Sequence, residues 1–169
     1  YASDSKILKT YKSKNVKINV KTLKNYLSYL EDAFIIKPAI RYDVKGKKYL
    51  KRLTKYYFSD VGIRNIILDQ RQYEFNHIVE NVVFNELNRR GFNVDVGNVT
   101  IHKDHKRKIL EIDFVASKSN KTYYIQVTKN LDNDTKTEQE KRSLLKTSDG
   151  YKKIIITLDK QITHYIDNS

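Results

Sequence analysis

The sequence predicts a mixed α/β protein in which a basic segment of helices and a hairpin precedes an α-β-β-β-α-β core. Apolar residues recur at steps of three and four in 20–34 and again in 75–87, which is the period of amphipathic helices. Between 92 and 129 apolar and polar residues alternate, which is typical of strands. With 169 residues the chain can bury one good-sized core or two small ones.

The N-terminal segment, 1–60, predicts two helices followed by a β-hairpin. A short helix is expected over 3–11, and a longer one begins after Asn19, a residue type suited to the N-cap. The longer helix has one apolar face, formed by Val20, Leu23, Leu27, Leu30 and Phe34. Two helices and a hairpin are the order of a winged helix-turn-helix, in which the second helix enters the major groove and the hairpin touches phosphates. The alternative is a structural linker domain.

Positive charge is concentrated in this winged-helix-like segment. Residues 1–60 hold 15 Lys and Arg against 5 Asp and Glu, whereas 61–169 hold 18 against 15. A local positive field predicts a polyanion partner, and DNA is the expected one. The expected contacts are Lys21, Lys24, Lys45, Lys47, Lys48, Lys51 and Arg52. The alternative is a lysine-rich surface that only meets solvent.

A connector over 61–72 leads to the second domain, 73–169. Its predicted elements are a helix ending at Gly91, strands over 92–103, 108–117 and 121–129, a helix over 134–148 and a final strand over 150–160. The second and third strands form a hairpin through the polar turn at 117–121. This order is α-β-β-β-α-β.

Two polar residues stand among apolar neighbours in that hairpin. Because side chains alternate along a strand, Asp113 is expected to share a face with Glu111 and Val115, opposite Ile112 and Phe114. Gln126 is expected to share a face with Tyr124 and Thr128, and the two polar faces can coincide.

A lone carboxylate, Glu80, interrupts the apolar pattern of the preceding helix. A helix carboxylate, a strand Asp and polar residues at i and i+2 of the next strand are the parts of a Mg²⁺ site for phosphodiester cleavage. We therefore expect Glu80, Asp113 and Gln126 to converge. The alternative is a degenerate site, in which these groups only hydrogen-bond to one another or to the backbone.

This arrangement resembles the PD-(D/E)xK nuclease superfamily, whose restriction-endonuclease-like core is α-β-β-β-α-β. The resemblance implies that Glu80 and Asp113 correspond to metal ligands and that Gln126 takes the third catalytic position. The fourth, a lysine in the family motif, falls on Thr128, which carries no charge. Lys129 is adjacent but is expected on the opposite face unless a bulge turns it. Mg²⁺ binding is therefore expected to be weak or absent.

A second resemblance covers nearly the whole chain. The blocks KNYLSYLEDAFII, RYDVKGKKYL, KYYFSDVGIRN, VENVVFNELNRRGFNVDVG, EIDFVA, YYIQVT and TEQEKRSLLKTSDGYKKIIIT are similar to the C-terminal region of a family of prokaryotic AAA-type ATPases. In that family an ATPase domain precedes a winged-helix segment and a nuclease-like domain of unassigned function. The resemblance implies an ATPase domain before residue 1. ATP binding, and assembly into oligomers, are expected to reside in that domain.

Composition limits the remaining possibilities. The chain has no Cys, which excludes disulfides and thiolate zinc sites, and it has no apolar run long enough to cross a bilayer. A cytoplasmic location without membrane association is expected. Three functions follow as hypotheses: a DNA-binding, nuclease-like region with a degenerate metal site, an active Mg²⁺-dependent endonuclease, and a protein-interaction module that recruits a partner to the ATPase.

Overall fold

The computed structural model of the protein describes residues 4–67, 75–103 and 106–160. Within these ranges the elements are α1 (Asp4–Ser13), α2 (Val20–Asp32), β1 (Ile36–Asp43), β2 (Lys48–Phe58), α3 (Val61–Ile67), α4 (Phe75–Arg89), β3 (Asn93–Lys103), β4 (Lys106–Lys118), β5 (Lys121–Thr128), α5 (Asp134–Leu144) and β6 (Lys152–Thr157). The mixed α/β class is confirmed, and so is the α-β-β-β-α-β order from α4 to β6.

The helices begin and end at residues that satisfy their free backbone groups. Asn19 caps α2, since its side-chain oxygen accepts a 2.8 Å hydrogen bond from the amide of Thr22. Gly91 follows α4 with a φ of 79°, a conformation that costs glycine little. None of the helices in the described residues is long and apolar enough to span a membrane.

The expected apolar face of α2 is only partly buried. Leu23 and Leu27 pack with Ile36 in a small core, as predicted. The remaining three residues of that face are exposed, with 52% of Val20, 39% of Leu30 and 78% of Phe34 accessible to solvent. The packing partners therefore cover only the central turns of the helix, and the helix ends at Asp32, before Phe34.

The β1–β2 hairpin is part of the main sheet. Six strands form one sheet in the order β2-β1-β3-β4-β5-β6. β1 is antiparallel to β2 and also pairs in parallel with β3, where Arg41 to Asp43 lie opposite Val96 to Asn98. The hairpin thus extends the sheet of the second segment. The order of two helices and a hairpin is present, and the winged-helix arrangement stays a prediction.

A hydrophobic core lies on each face of this sheet. On one face Tyr57, Phe84 and Phe114 form an aromatic cluster beneath α4, with the rings of Tyr57 and Phe84 stacked at 4.1 Å. On the other face Ile112, Val115 and Tyr124 pack against Leu144 of α5. Each strand in the centre of the sheet therefore contributes side chains to two cores, as the alternating sequence requires.

β4 and β5 diverge in the middle of the sheet. Their antiparallel pairing runs from Lys118 and Lys121 to Phe114 and Ile125, and beyond this point β4 pairs with β3 alone. The register between β3 and β4 also shifts here. Asp95 pairs with Val115, and Gly97 pairs with Ile112, so two steps along β3 correspond to three steps along β4. β4 therefore carries a bulge beside the point of divergence. The candidate site lies at this point.

Candidate functional site

A buried lysine joins two carboxylates at the centre of the site. Nζ of Lys55, on β2, lies 2.8 Å from Oε1 of Glu80 on α4 and 2.8 Å from Oε1 of Glu111 on β4. Lys55 and Glu80 are buried, with 6% and 7% of their surface exposed. Burial alone lowers the pKa of Lys55, but attraction to the two carboxylates outweighs it and raises that pKa. The ammonium group is therefore charged at neutral pH.

Each of these carboxylates has a further donor. The hydroxyl of Tyr57 donates to Oε1 of Glu80 at 2.6 Å. Arg41, on β1, forms an ion pair with Glu111 through Oε2 and also donates to Oδ1 of Asn98 at 3.0 Å. Burial raises the pKa of Glu111, but the charges of Lys55 and Arg41 lower it more, so that the net shift is downward. Glu111 is therefore ionised and fully paired.

Asp113 lies beside this network. It is buried, and its Oδ2 accepts a 2.8 Å hydrogen bond from the backbone amide of Val127. Val127 lies just beyond the last residue pair between β4 and β5, so the carboxylate of Asp113 takes the place of a strand partner for this amide. Burial, together with the charge of Glu80, raises the pKa of Asp113 to about 8. Asp113 is therefore largely protonated at neutral pH.

Because of the bulge, the side chains of β4 are distributed over the two faces of the sheet differently from the prediction. Strict alternation placed Ile112 and Phe114 together on the face opposite Val115. In the structure Ile112 and Val115 pack in the core beneath α5, and Phe114 packs in the core beneath α4. The extra residue of the bulge breaks the two-residue period at Asp113. The prediction was wrong because a bulge leaves no clear signal in the alternation.

The other two predicted residues lie on the α5 side of the strands. Gln126 borders a cavity of about 280 Å³ between β4, β5 and α5, which Glu111 also lines. Oγ of Ser143 donates to Oε1 of Gln126 at 3.3 Å. Thr128 is buried, and its hydroxyl donates to the carbonyl of Asn130 at 3.1 Å. Glu80 and Asp113 are thus neighbours, whereas Gln126 is separated from them and lines the same cavity as Glu111.

Lys129, the lysine adjacent to Thr128, also points away from the network. Its Nζ lies 5.2 Å from the centre of the Phe75 ring, and its backbone amide bonds to Asn76 at 3.1 Å. Both contacts are at the beginning of α4. The cation that meets the carboxylates comes instead from Lys55, which lies far upstream in the sequence.

The residues that complete the network were not among the sequence candidates. Lys55 and Tyr57 occur in the alternating run of β2, and both point to its buried side. Nothing in the local sequence distinguishes Lys55 from the other lysines of the first segment. Lys55 was not among the predicted residues, because its partners Glu80 and Glu111 are 25 and more residues away along the chain.

The network as built does not fit a divalent metal ion. The described part of the chain contains no group of three or more His, Asp or Glu side chains placed to hold one. The Lys55 ammonium lies between Glu80 and Glu111, so positive charge already stands between the two carboxylates. A metal ion would have to displace it.

The predicted DNA-contacting residues lie at two places. Lys21 and Lys24 are exposed on α2, and Lys45, Lys47 and Lys48 are exposed at the β1–β2 turn. Lys51 and Arg52 belong to β2, and their side chains lie outside the described residues. Within the described part of the chain, these five exposed lysines form no ion pair with an acidic side chain.

Two family models match consecutive parts of the chain and meet at residue 75. Residues 75–168 match a family model described as Domain of unknown function (DUF4143), and residues 3–74 match one described as Domain of unknown function (DUF8612). The boundary falls between α3 and α4, although the sheet continues across it. No solved structure matches the chain.

Two curated relatives are similar over most of this chain. An uncharacterized protein of Haemophilus influenzae is 40% identical over 153 residues, which are 90% of this chain and 36% of the relative. An uncharacterized protein of Methanocaldococcus jannaschii is 37% identical over 138 residues, which are 82% of this chain and 29% of the relative. The chain therefore spans about a third of the length of these relatives.

Proposed function

We propose that this chain, which belongs to the family described as Domain of unknown function (DUF4143), is a DNA-binding, nuclease-like region whose metal site is degenerate. The observation that carries the proposal is the position of Lys55, 2.8 Å from both Glu80 and Glu111. An internal ammonium group takes the place that a metal ion would hold between carboxylates. The residues that would bind metal therefore stabilise the fold.

The contacts of Asp113 support the same reading. Its Oδ2 accepts a hydrogen bond from the backbone amide of Val127, so this carboxylate already has a partner within the fold. The other positions of the nuclease motif are occupied by an uncharged amide, Gln126, and an uncharged hydroxyl, Thr128. Neither group supplies the charge that a phosphodiester transition state requires.

Binding of DNA is supported by the distribution of charge. The net charge of the chain is +13, and most of the excess lies in residues 1–60. The exposed lysines of α2 and of the β1–β2 turn provide phosphate contacts without base-specific groups. We therefore propose weak binding to duplex DNA with little sequence preference.

The proposed context is a longer protein. Because the chain spans about a third of its curated relatives, and because it resembles the C-terminal region of AAA-type ATPases, we propose that an ATPase domain accompanies it in the full-length protein. ATP binding and oligomer formation would then belong to that domain, in the cytoplasm. This region would hold the ATPase on DNA.

One observation favours a second function, a protein-interaction module. Large apolar side chains are exposed on α2 and just after its end, with Tyr26, Tyr29 and Phe34 exposed to 54%, 63% and 78%. Exposed apolar surface of this kind is typical of protein contacts. Salt-sensitive DNA binding separates the two functions, since an apolar contact responds little to salt.

The DNA-binding proposal is tested by fluorescence anisotropy with a labelled duplex at several salt concentrations. Counterion release predicts that the logarithm of the affinity falls linearly with the logarithm of the salt concentration, with a slope of about −0.9 for each phosphate neutralised. Duplexes of unrelated sequence should bind alike. Absence of binding at low salt, or an affinity independent of salt, would favour the interaction module.

The degenerate-site proposal is tested by metal binding to a Lys55→Gln variant. If the ammonium replaces a metal ion, millimolar Mg²⁺ should raise the thermal midpoint of Lys55→Gln and leave that of the wild type unchanged. The matched control, Lys136→Gln, removes a cation from a helical surface pair with Glu140 and should show no response to Mg²⁺. Equal Mg²⁺ stabilisation of wild type and Lys55→Gln would contradict the proposal.

A further inference from the structure

A tyrosine–aspartate corner lies on the α5 face of the sheet, away from the Lys55 network. We define it by its side chains, Tyr42, Tyr49, Tyr124, Tyr151, Asp95 and Asp149. The rings of Tyr42 and Tyr49 meet edge to face at 5.3 Å, and those of Tyr124 and Tyr151 meet edge to face at 5.6 Å. The corner therefore combines aromatic faces with carboxylates.

Asp149 has an unused acceptor. Its Oδ2 accepts a 2.6 Å hydrogen bond from the hydroxyl of Tyr124. Its Oδ1 is buried and has no hydrogen-bond partner in the described part of the protein. Buried acceptors in folded proteins almost always have a donor, so Oδ1 can accept one further hydrogen bond.

No cation of the chain neutralises this carboxylate within the described residues. Lys153 stands opposite Tyr124 in the β5–β6 register, yet it forms no ion pair with Asp149. The charges of Asp149 and Asp95 are close enough to act on the tyrosines: burial first, and then these carboxylates, raise the pKa of Tyr42. The corner is thus locally acidic in a chain whose net charge is +13.

Two of the four tyrosine rings of the corner are exposed to solvent, and the glycine next to Asp149 borders open space. Tyr49 is 55% exposed and Tyr151 is 44% exposed. Gly150 lies between Asp149 and Tyr151, and a Cβ placed on it would meet no atom within 4 Å.

We propose that the tyrosine–aspartate corner binds a basic side chain, arginine or lysine, presented by another polypeptide. A cation is attracted to the faces of tyrosine rings and forms a charge-assisted hydrogen bond with a carboxylate. Arginine suits the corner better, because its planar group can stack on Tyr151 while it donates to Asp149. The corner is then a recognition site for a basic segment, independent of DNA binding by the lysines of α2.

The test is a titration of protein carrying ¹³C-labelled tyrosine with the blocked peptide acetyl-Gly-Arg-Gly-amide, followed by NMR of the tyrosine rings. Shifts confined to the four tyrosines of the corner are expected. A peptide with citrulline in place of arginine has the same shape without the charge and should bind about tenfold more weakly. Spermidine provides the other source of amine, and tighter binding of spermidine than of the peptide would overturn the assignment to a polypeptide.

Two variants connect the binding to the proposed residues. Asp149→Asn keeps an oxygen for Tyr124 but removes the charge, and it should weaken binding of the arginine peptide about tenfold. Asp32→Asn, an exposed carboxylate on α2, is the matched control and should bind as the wild type does. If Asp149→Asn fails to fold, Tyr151→Leu, at an exposed position, should weaken binding severalfold. Unchanged binding in Asp149→Asn or in Tyr151→Leu would overturn the proposal.

Discussion

Lys55 and Glu80 form a buried ion pair, with 2.8 Å between Nζ and Oε1, that joins the second strand of the sheet to α4. The two residues belong to segments that match different family models, 3–74 and 75–168. Because Glu111 shares the same ammonium group, one lysine holds three elements together. This ion pair therefore stabilises the packing of α4 on the sheet.

Replacing Lys55 by Met should destabilise the protein by about 3–5 kcal/mol, because two carboxylates would be left buried or half-buried without their cation. Urea denaturation measures the change. Lys136→Met removes a cation from a partly exposed i,i+4 pair with Glu140 and should cost less than about 1 kcal/mol. A similar loss in both variants would show that burial of Lys55 contributes nothing beyond a surface pair.

The stability of the protein should fall as the pH rises from about 4 to about 8. The pKa of Asp113 is raised from 3.8 to about 8 in the folded protein, so the folded state binds a proton more readily than the unfolded state across this window. The free energy of unfolding therefore decreases with pH until Asp113 is ionised. The lowered pKa of Glu111 acts in the opposite direction, but only up to about one pH unit above its ordinary value of 4.5, so Asp113 determines the upper part of this window.

The variant Asp113→Asn isolates this effect, because it keeps an acceptor for the amide of Val127 and cannot ionise. Its urea midpoint should change less between pH 5 and pH 8 than that of the wild type. Asp132→Asn, an exposed residue before α5, is the control and should follow the wild type. Parallel curves for wild type and Asp113→Asn would contradict a raised pKa for Asp113.

Charge reversal at the β1–β2 turn should weaken DNA binding. The variant with Lys45, Lys47 and Lys48 changed to Glu removes three exposed cations, so both the affinity and the steepness of its salt dependence should decrease. A control with Lys121, Lys146 and Lys160 changed to Glu makes the same change in net charge on the second segment. Equal losses in both variants would show that net charge, and not the turn, determines binding.

The chain should not cleave plasmid or branched DNA with Mg²⁺, and with Mn²⁺ it should produce at most trace nicking. A charged donor at a scissile phosphate is typically worth ~10²–10³ in rate, and neither Gln126 nor Thr128 supplies one. Incubation with supercoiled plasmid, beside an Asp113→Ala control, measures this. Robust nicking that disappears in the control would establish an active nuclease in place of the degenerate site.

Several features were predictable from the sequence because they depend on neighbours along the chain. The period of 3.6 residues located α4, and alternation located β4 and β5. The cap at Asn19 and the stop at Gly91 are local chemistry, and both were predicted. The proximity of Glu80 and Asp113 also followed, since a lone carboxylate in an apolar helix needs a polar neighbour in the core.

Only the tertiary structure decided which cation meets these carboxylates and where the hairpin lies. Lys55 was one of many lysines, and nothing local distinguished it, because its selection depends on the pairing of β1 with β3 and the packing of α4 on the sheet. The bulge at Asp113 likewise results from the different registers that β4 adopts with its two neighbours. Sequence patterns determine which face a side chain occupies within one element, whereas burial and pairing between distant elements determine what it meets there.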